Sequence, residues 1–171
     1  MDRLVRKAQN GDKAAFVRLM EENQLAMYRT AKAILHNEAD VEDAVQEAVC
    51  RAFAKVCTLR QPKFFKTWLT RVVINCCYDL LRQQKGLFPL DILPDEGRED
   101  DLDTPLDVQQ ALQSLTENDR LVMTLYYLND LPVKEIAGLL SISEGAVKMW
   151  LSHGRQKLRE RFEDGRKEAG Y

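Results

Sequence analysis

The sequence predicts an all-α chain: two small helical domains joined by an acidic linker, the C-terminal one a helix-turn-helix. Three observations carry this expectation. The 171 residues include only 8 Gly and 5 Pro, are rich in Ala, Leu, Lys, Arg, Glu and Gln, and show no alternating β-branched runs. Charge falls in blocks: residues 1–85 carry a net +5, residues 86–105 a net −6 and residues 106–171 a net −1. The stretch PVKEIAGLLSISEGAVKMWLSHGRQKLRERF, residues 132–162, reads as two short helices about a tight turn.

In the first domain, residues 1–85, Asp12 is placed to N-cap a helix with Ala15, Phe16, Leu19 and Met20 on one face, followed by Tyr28, Ala31, Ile34 and Leu35. HNE at 36–38 breaks it. Asp40 is expected to cap the next helix, with Glu42 and Asp43 in its first turn, where acids complement the dipole. Val41, Ala44, Val45, Ala48, Ala52, Phe53 and Val56 are its expected buried stripe. After a connector at Leu59–Pro62, a long helix runs from about Lys63 to Gln84. It is expected to bury Phe65, Trp68, Leu69, Val72, Cys76 and Leu80 and to show Lys63, Thr67, Arg71, Asn75, Tyr78 and Arg82. Phe65 and Trp68 sit at core spacing and are read as core.

The linker, residues 86–105, holds one Arg, seven acids, three Pro and two Gly, and suits an extended segment. In the second domain, residues 106–171, Thr116 and Asp119 resemble a capping box that opens a helix through Leu121, Val122 and Leu125. A helix from about Pro132 carries Ile136, Ala137, Leu139 and Leu140. Ser143 caps the last helix, Ile142 and Val147 form a hydrophobic staple, and Leu151 and Leu158 continue the buried stripe.

Several classes of function are excluded or disfavoured. No stretch approaches the ~18 apolar residues of a membrane span. The N-terminus MDRLVRKAQNGDKAAF lacks the apolar core of a secretory signal, so a cytoplasmic location is expected. Cys50, Cys57, Cys76 and Cys77, with His36 and His153, do not have metal-ligand spacing, and the cysteines are read as free thiols acting as small hydrophobes. No phosphate loop, paired-carboxylate cleft or nucleophile–base set is present. No enzyme activity, cofactor, metal or small-molecule substrate is therefore expected.

A helix-turn-helix reads DNA by laying its second helix in the major groove. With Val147, Leu151 and Leu158 inward, Lys148, Met149, Ser152, His153, Arg155 and Gln156 fall on or near the outward side, and Lys157, Arg159 and Arg161 extend the basic run. A solvated amphipathic helix with dipole-favoured cations has the same pattern. A free-standing DNA binder is usually basic, yet this chain has net charge −2. If it binds DNA, a larger assembly must supply much of the affinity.

The stretch NEADVEDAVQEAVCRAFAKV, residues 37–56, is followed by FFKTWLTRVVINCCYDLLR, residues 64–82. Together they resemble the core of bacterial extracytoplasmic-function (ECF) sigma factors, members of the sigma-70 family of RNA polymerase subunits. The matching residues are Asp40, Glu42, Asp43, Gln46 and Glu47; then Phe65, Thr67, Trp68 and Leu69; then Asn75, Asp79 and Arg82. Glu135 through Lys148 match the family's C-terminal E-I-A-x-x-L-x-I-S-x-G-x-V-K pattern, so the resemblance spans roughly residues 4–162.

The resemblance implies a subunit that binds core RNA polymerase and directs promoter-specific initiation. Asp40, Glu42, Asp43, Gln46 and Glu47 would dock on the clamp of the largest polymerase subunit, and the second domain would meet the flap of the second subunit. Arg60, Lys63, Lys66, Arg71 and Asn75 would serve the minus-ten element. Asn75, Asp79 and Arg82 are read as a supporting network. Ser143, Lys148, Met149, Ser152, His153 and Arg155 would serve the minus-thirty-five element. The linker would thread toward the active centre, and an anti-sigma factor linked to the membrane would hold the protein. Pro132 stands where the family often has a Ser or Thr cap, and Met149, Trp150 and His153 are unusual at the reading face. The alternatives are a stand-alone helix-turn-helix regulator and a helical adaptor.

Overall fold

The computed structural model describes residues 1–85 and 108–168. The chain divides into two compact units, Met1–Leu90 and Asp91–Tyr171. All regular structure among the described residues is helical. The expected acidic linker lies outside them.

The first unit packs α1 (Asp2–Gln9), α2 (Lys13–Ile34), α3 (Glu38–Lys55) and α4 (Phe65–Lys85), with α4 against both α2 and α3. Asp12 caps α2 as expected: its carboxylate accepts from the Ala15 amide at 3.0 Å. The cap of α3 is Asn37, not Asp40; Asn37 Oδ1 accepts from the Ala39 amide at 2.9 Å. The helix therefore starts three residues early. Glu38 and Asp40 fill its first turn, and Glu42 and Asp43 fall in the second.

The inner face of α3 is made of small residues. Val41, Ala44, Ala48 and Ala52 are each no more than 1 % exposed, which lets α2 and α4 approach closely. Phe53 does not belong to that core as expected. It is 54 % exposed and lies edge-on to buried Phe16, ring centroids 5.1 Å apart. Helix α4 is also rotated from the expected stripe. It buries Phe65, Leu69, Val73, Ile74, Cys76 and Cys77, while Trp68, Val72 and Leu80 are half-buried. Trp68 still leans on Phe65 at 5.8 Å between ring centroids. Cys50 and Cys57 are exposed, so only Cys76 and Cys77 act as small hydrophobes; burial pushes their thiols up to about 11 and about 12.

Between α3 and α4 the connector passes through two 3₁₀ turns, Val56–Thr58 and Pro62–Phe64. Helix α1 fastens it. The Gln9 side-chain amide donates to the Leu59 carbonyl at 2.6 Å and the Val56 carbonyl at 3.3 Å.

The second unit contains α5 (Val108–Gln113), α6 (Glu117–Met123), α7 (Val133–Leu140) and α8 (Glu144–Glu168). Thr116 caps α6, accepting from the Asp119 amide at 3.3 Å. A π turn, Thr124–Leu128, continues α6. Pro132 occupies the N-cap of α7, and Ser143 caps α8 through its hydroxyl, which accepts from the Ala146 amide at 3.1 Å. The α7–α8 turn uses Ser141 at φ 57°, a left-handed position normally given to Gly or Asn. Leu115, Leu121, Val122, Leu125, Ile136 and Val147 form the centre of this core, with Leu151 of α8 against it.

Candidate functional site

On the first unit, the expected acidic face runs along α3. Glu42, Asp43, Gln46 and Glu47 are exposed, and Asp40 is half-buried, accepting from Gln84 Nε2 at 3.0 Å. This face is not composed of free acids alone. Glu47 Oε1 accepts from Arg51 Nε at 2.7 Å, and Arg51 Nη1 reaches Asp79 Oδ2 on α4 at 2.5 Å. Asp79 also accepts from Arg82. Burial pushes the Asp79 carboxyl up, but the bonds from Arg51 and Arg82 outweigh it and hold Asp79 below the usual carboxylate range. The Asp79 bond, then the Glu47 bond, holds the Arg51 guanidinium proton more tightly than usual.

Of the expected network of Asn75, Asp79 and Arg82, the structure joins only Asp79 and Arg82, with Arg51 as the member that sequence reading missed. Asn75 stands exposed on α4. A second missed cluster joins α2 to α3. Glu38 accepts from Lys32 Nζ at 2.6 Å and from the Tyr28 hydroxyl at 2.7 Å. The Lys32 bond, then the Tyr28 bond, lowers the Glu38 carboxyl, and the bond to Glu38 raises the Tyr28 phenol.

Arg60, Lys63, Lys66 and Arg71 are all exposed, along the connector and the start of α4. The structure adds an aromatic to them. Phe64 is 41 % exposed at the tip of the second 3₁₀ turn, with Lys63 Nζ 4.9 Å from its ring centroid. Sequence reading places Phe65 and Trp68 in the core and gives Phe64 no role. The aromatic neighbour that is turned inward, Phe65, is fully buried.

On the second unit, Lys148, Met149, Ser152, His153 and Arg155 are exposed on α8. Ser143 is occupied as the cap. Arg155 Nη1 donates to the Tyr127 hydroxyl at 3.3 Å, and Tyr127 packs edge-on to Tyr126 at 4.9 Å. His153 Nδ1 lies 2.8 Å from Oδ2 of buried Asp119. Helix α8 sits close to α6 because residue 154 is Gly: a Cβ there would meet Met123 Cγ at 2.8 Å. Among the described residues no group of His, Cys, Asp and Glu could hold a metal ion, and no helix is long and apolar enough to cross a membrane.

Comparison with known families resolves the two units. Residues 19–86 match the model for sigma-70 region 2, and residues 106–158 match the model for sigma-70 region 4. The chain belongs to the sigma-70 family. Its relatives place it with the ECF members. It is 28 % identical to the ECF RNA polymerase sigma factor SigW of Bacillus subtilis (strain 168), over 94 % of this chain and 95 % of that one. It is 29 % identical to the ECF RNA polymerase sigma factor SigM of Mycobacterium tuberculosis, over 86 % of this chain and 77 % of the relative. Solved structures share the sigma-factor fold. CnrH, in complex with the cytosolic domain of CnrY, superposes with a TM-score of 0.69 at 23 % identity, over 95 % of this chain and 97 % of the other. The sigma factor RpoE from Bartonella quintana, solved with the anti-sigma factor NepR, gives 0.65 at 21 % identity over 85 % and 97 %.

Proposed function

We propose that this ECF sigma factor binds core RNA polymerase and directs promoter-specific transcription initiation, recognising and melting promoter DNA. The observation that carries the reading is the presence of region 2 and region 4, in that order, in one chain. Region 2, within residues 1–85, docks on the clamp of the largest polymerase subunit through Asp40, Glu42, Asp43, Gln46 and Glu47. It handles the minus-ten element through Arg60, Lys63, Lys66, Arg71 and Asn75. Capture of an unpaired base requires cations along the backbone and a ring to stack on, and exposed Phe64 beside Lys63 supplies that ring. Region 4, within residues 106–171, meets the flap of the second subunit and reads the minus-thirty-five element through Lys148, Met149, Ser152, His153 and Arg155, with Ser143 as the helix cap.

The acidic linker of residues 86–105, net −6, occupies the polymerase path built to hold nucleic acid. The protein works by binding, in the cytoplasm, without cofactor or catalysis. An anti-sigma factor, linked to the membrane, holds it inactive; the solved structure of RpoE with the anti-sigma factor NepR supports that partner class. The stand-alone regulator is not favoured, because net charge −2 gives the isolated chain little electrostatic affinity for DNA.

The test is reconstitution with core polymerase and mapping of transcription start sites. Specific starts that require this chain are expected. Glu42→Lys with Asp43→Lys should weaken polymerase association with helical content unchanged, since neither residue is buried. Glu47 is left intact in that variant because Arg51 depends on it. Unchanged association by the folded double variant would move the docking surface elsewhere.

A further inference from the structure

Asp119 is a buried acid whose purpose the fold does not explain. It is the third residue of α6, and the bond from its own amide to the Thr116 hydroxyl fixes its position. Its side chain is 1 % exposed, and no aligned hydrogen bond reaches Oδ2 from any of the described residues. Two groups of α8 face that oxygen: His153 Nδ1 at 2.8 Å and Lys157 Nζ at 4.0 Å. A buried oxygen of this kind is costly without a donor, and the imidazole is the nearer one.

A carboxylate only accepts, so the ring nitrogen that faces it carries the hydrogen. An Nδ1–H on His153 is the hydrogen nearest to that unfilled place. The His153 side chain is 52 % exposed, so the opposite edge of the ring, with Nε2, is the edge left for a ligand. In the neutral imidazole that nitrogen is an acceptor. In the major groove an acceptor complements the amino groups of adenine N6 and cytosine N4, and it is repelled by guanine O6 and N7.

We infer that Asp119 is a positioning residue for promoter reading: it locks His153 as the Nδ1–H tautomer, so that Nε2 selects an amino-bearing base at the base pair it faces. This rests on the proposed reading of the minus-thirty-five element by α8. The reading side chain and the buried side chain that sets its polarity then come from different helices. The cap at Thr116 keeps the two in register.

Two measurements on the full chain test the inference. The first is imidazole ¹⁵N NMR, with His36→Gln to assign the second histidine. His153 is expected as the Nδ1–H tautomer in the wild type and in Asp119→Asn, whose amide carbonyl still accepts. In Asp119→Ala it should revert to the mixture of a free imidazole. The second is transcription with core polymerase from a library randomised in the minus-thirty-five element. The wild type should select adenine or cytosine at one position, and Asp119→Ala should relax that position alone by roughly tenfold, the scale of one base-edge contact. Asp119→Asn should keep the preference, and Asp119→Ala added to His153→Ala should change nothing further there.

An Nε2–H tautomer in the wild type overturns the inference whatever the library shows. So does an Asp119→Ala protein of native helicity that lowers all sequences alike. If Asp119→Ala fails to fold, the wild-type tautomer and the His153→Ala library decide. Failure of the wild type to start transcription with core polymerase overturns the sigma-factor reading itself, which the tautomer measurement does not depend on.

Discussion

Gly154 shows how little room separates α8 from α6. An added methyl group would meet Met123 Cγ at 2.8 Å and Sδ at 3.2 Å. Replacing Gly by Ala inside a helix gains about 1 kcal/mol of propensity, but overpacking a core costs about 1–3 kcal/mol. Gly154→Ala should therefore lose about 1 kcal/mol in urea unfolding despite the better helix former, and Gly154→Val clearly more. Phe64 gives the second prediction at this scale. Because it is partly exposed, Phe64→Ala should leave unfolding nearly unchanged yet weaken promoter opening by about tenfold, in line with ~1–3 kcal/mol per stacked base. Phe64→Trp should restore opening, as measured with a fluorescent base in the minus-ten element. The basic residues at these sites were legible in the sequence, because helical spacing puts them opposite the apolar stripe. Asp119 and Phe64 were not. A capping-box acid and a Phe beside another Phe carry no sign of which one is turned inward.

The helices themselves were legible wherever one cap or one stripe stood without a competitor. Asp12, Thr116 and Ser143 each cap as their spacing predicts. At α3 two good caps lie three residues apart, and local propensity does not choose between Asn37 and Asp40; the folded helix takes the earlier one and keeps Asp40 for Gln84. Helix α4 has apolar residues on more than one face, VVINCC among them, so the stripe that meets α2 and α3 is decided by packing rather than periodicity. Asp79 gives α4 a testable pH dependence. Its folded carboxyl lies below the ordinary value, so its contribution to stability is complete above about pH 4, the usual carboxylate value, and is lost as pH falls through the folded value. Asp79→Asn should thus be less stable at neutral pH by about 1 kcal/mol, a modest figure because the pairs are partly exposed. The gap should close under acid. Thermal unfolding of both proteins across pH 2–7 checks it; a gap that widens toward low pH would contradict the assignment.

For the whole molecule, charge makes the clearest prediction. The first 85 residues are net +5 and the remainder is net −7, so the cations of α8 sit in the half of the chain whose net charge repels DNA. The free protein should bind promoter duplex weakly at physiological salt, and its complex with core polymerase should bind tightly and specifically. A gel shift with tight, specific binding by the isolated chain would restore the stand-alone regulator. The division into two helical units was legible from the charge blocks, and the family from three motifs in order. What the sequence did not disclose is that α3 and α4 share one chain of ions, Glu47–Arg51–Asp79–Arg82. That chain has a thermodynamic consequence. A polymerase surface that draws Glu47 away from Arg51 changes the partner balance of Asp79 on the helix that carries Arg71 and Asn75. If polymerase binding at Glu47 and DNA binding at Arg71 and Asn75 are coupled through that chain, each changes the affinity of the other by the same factor.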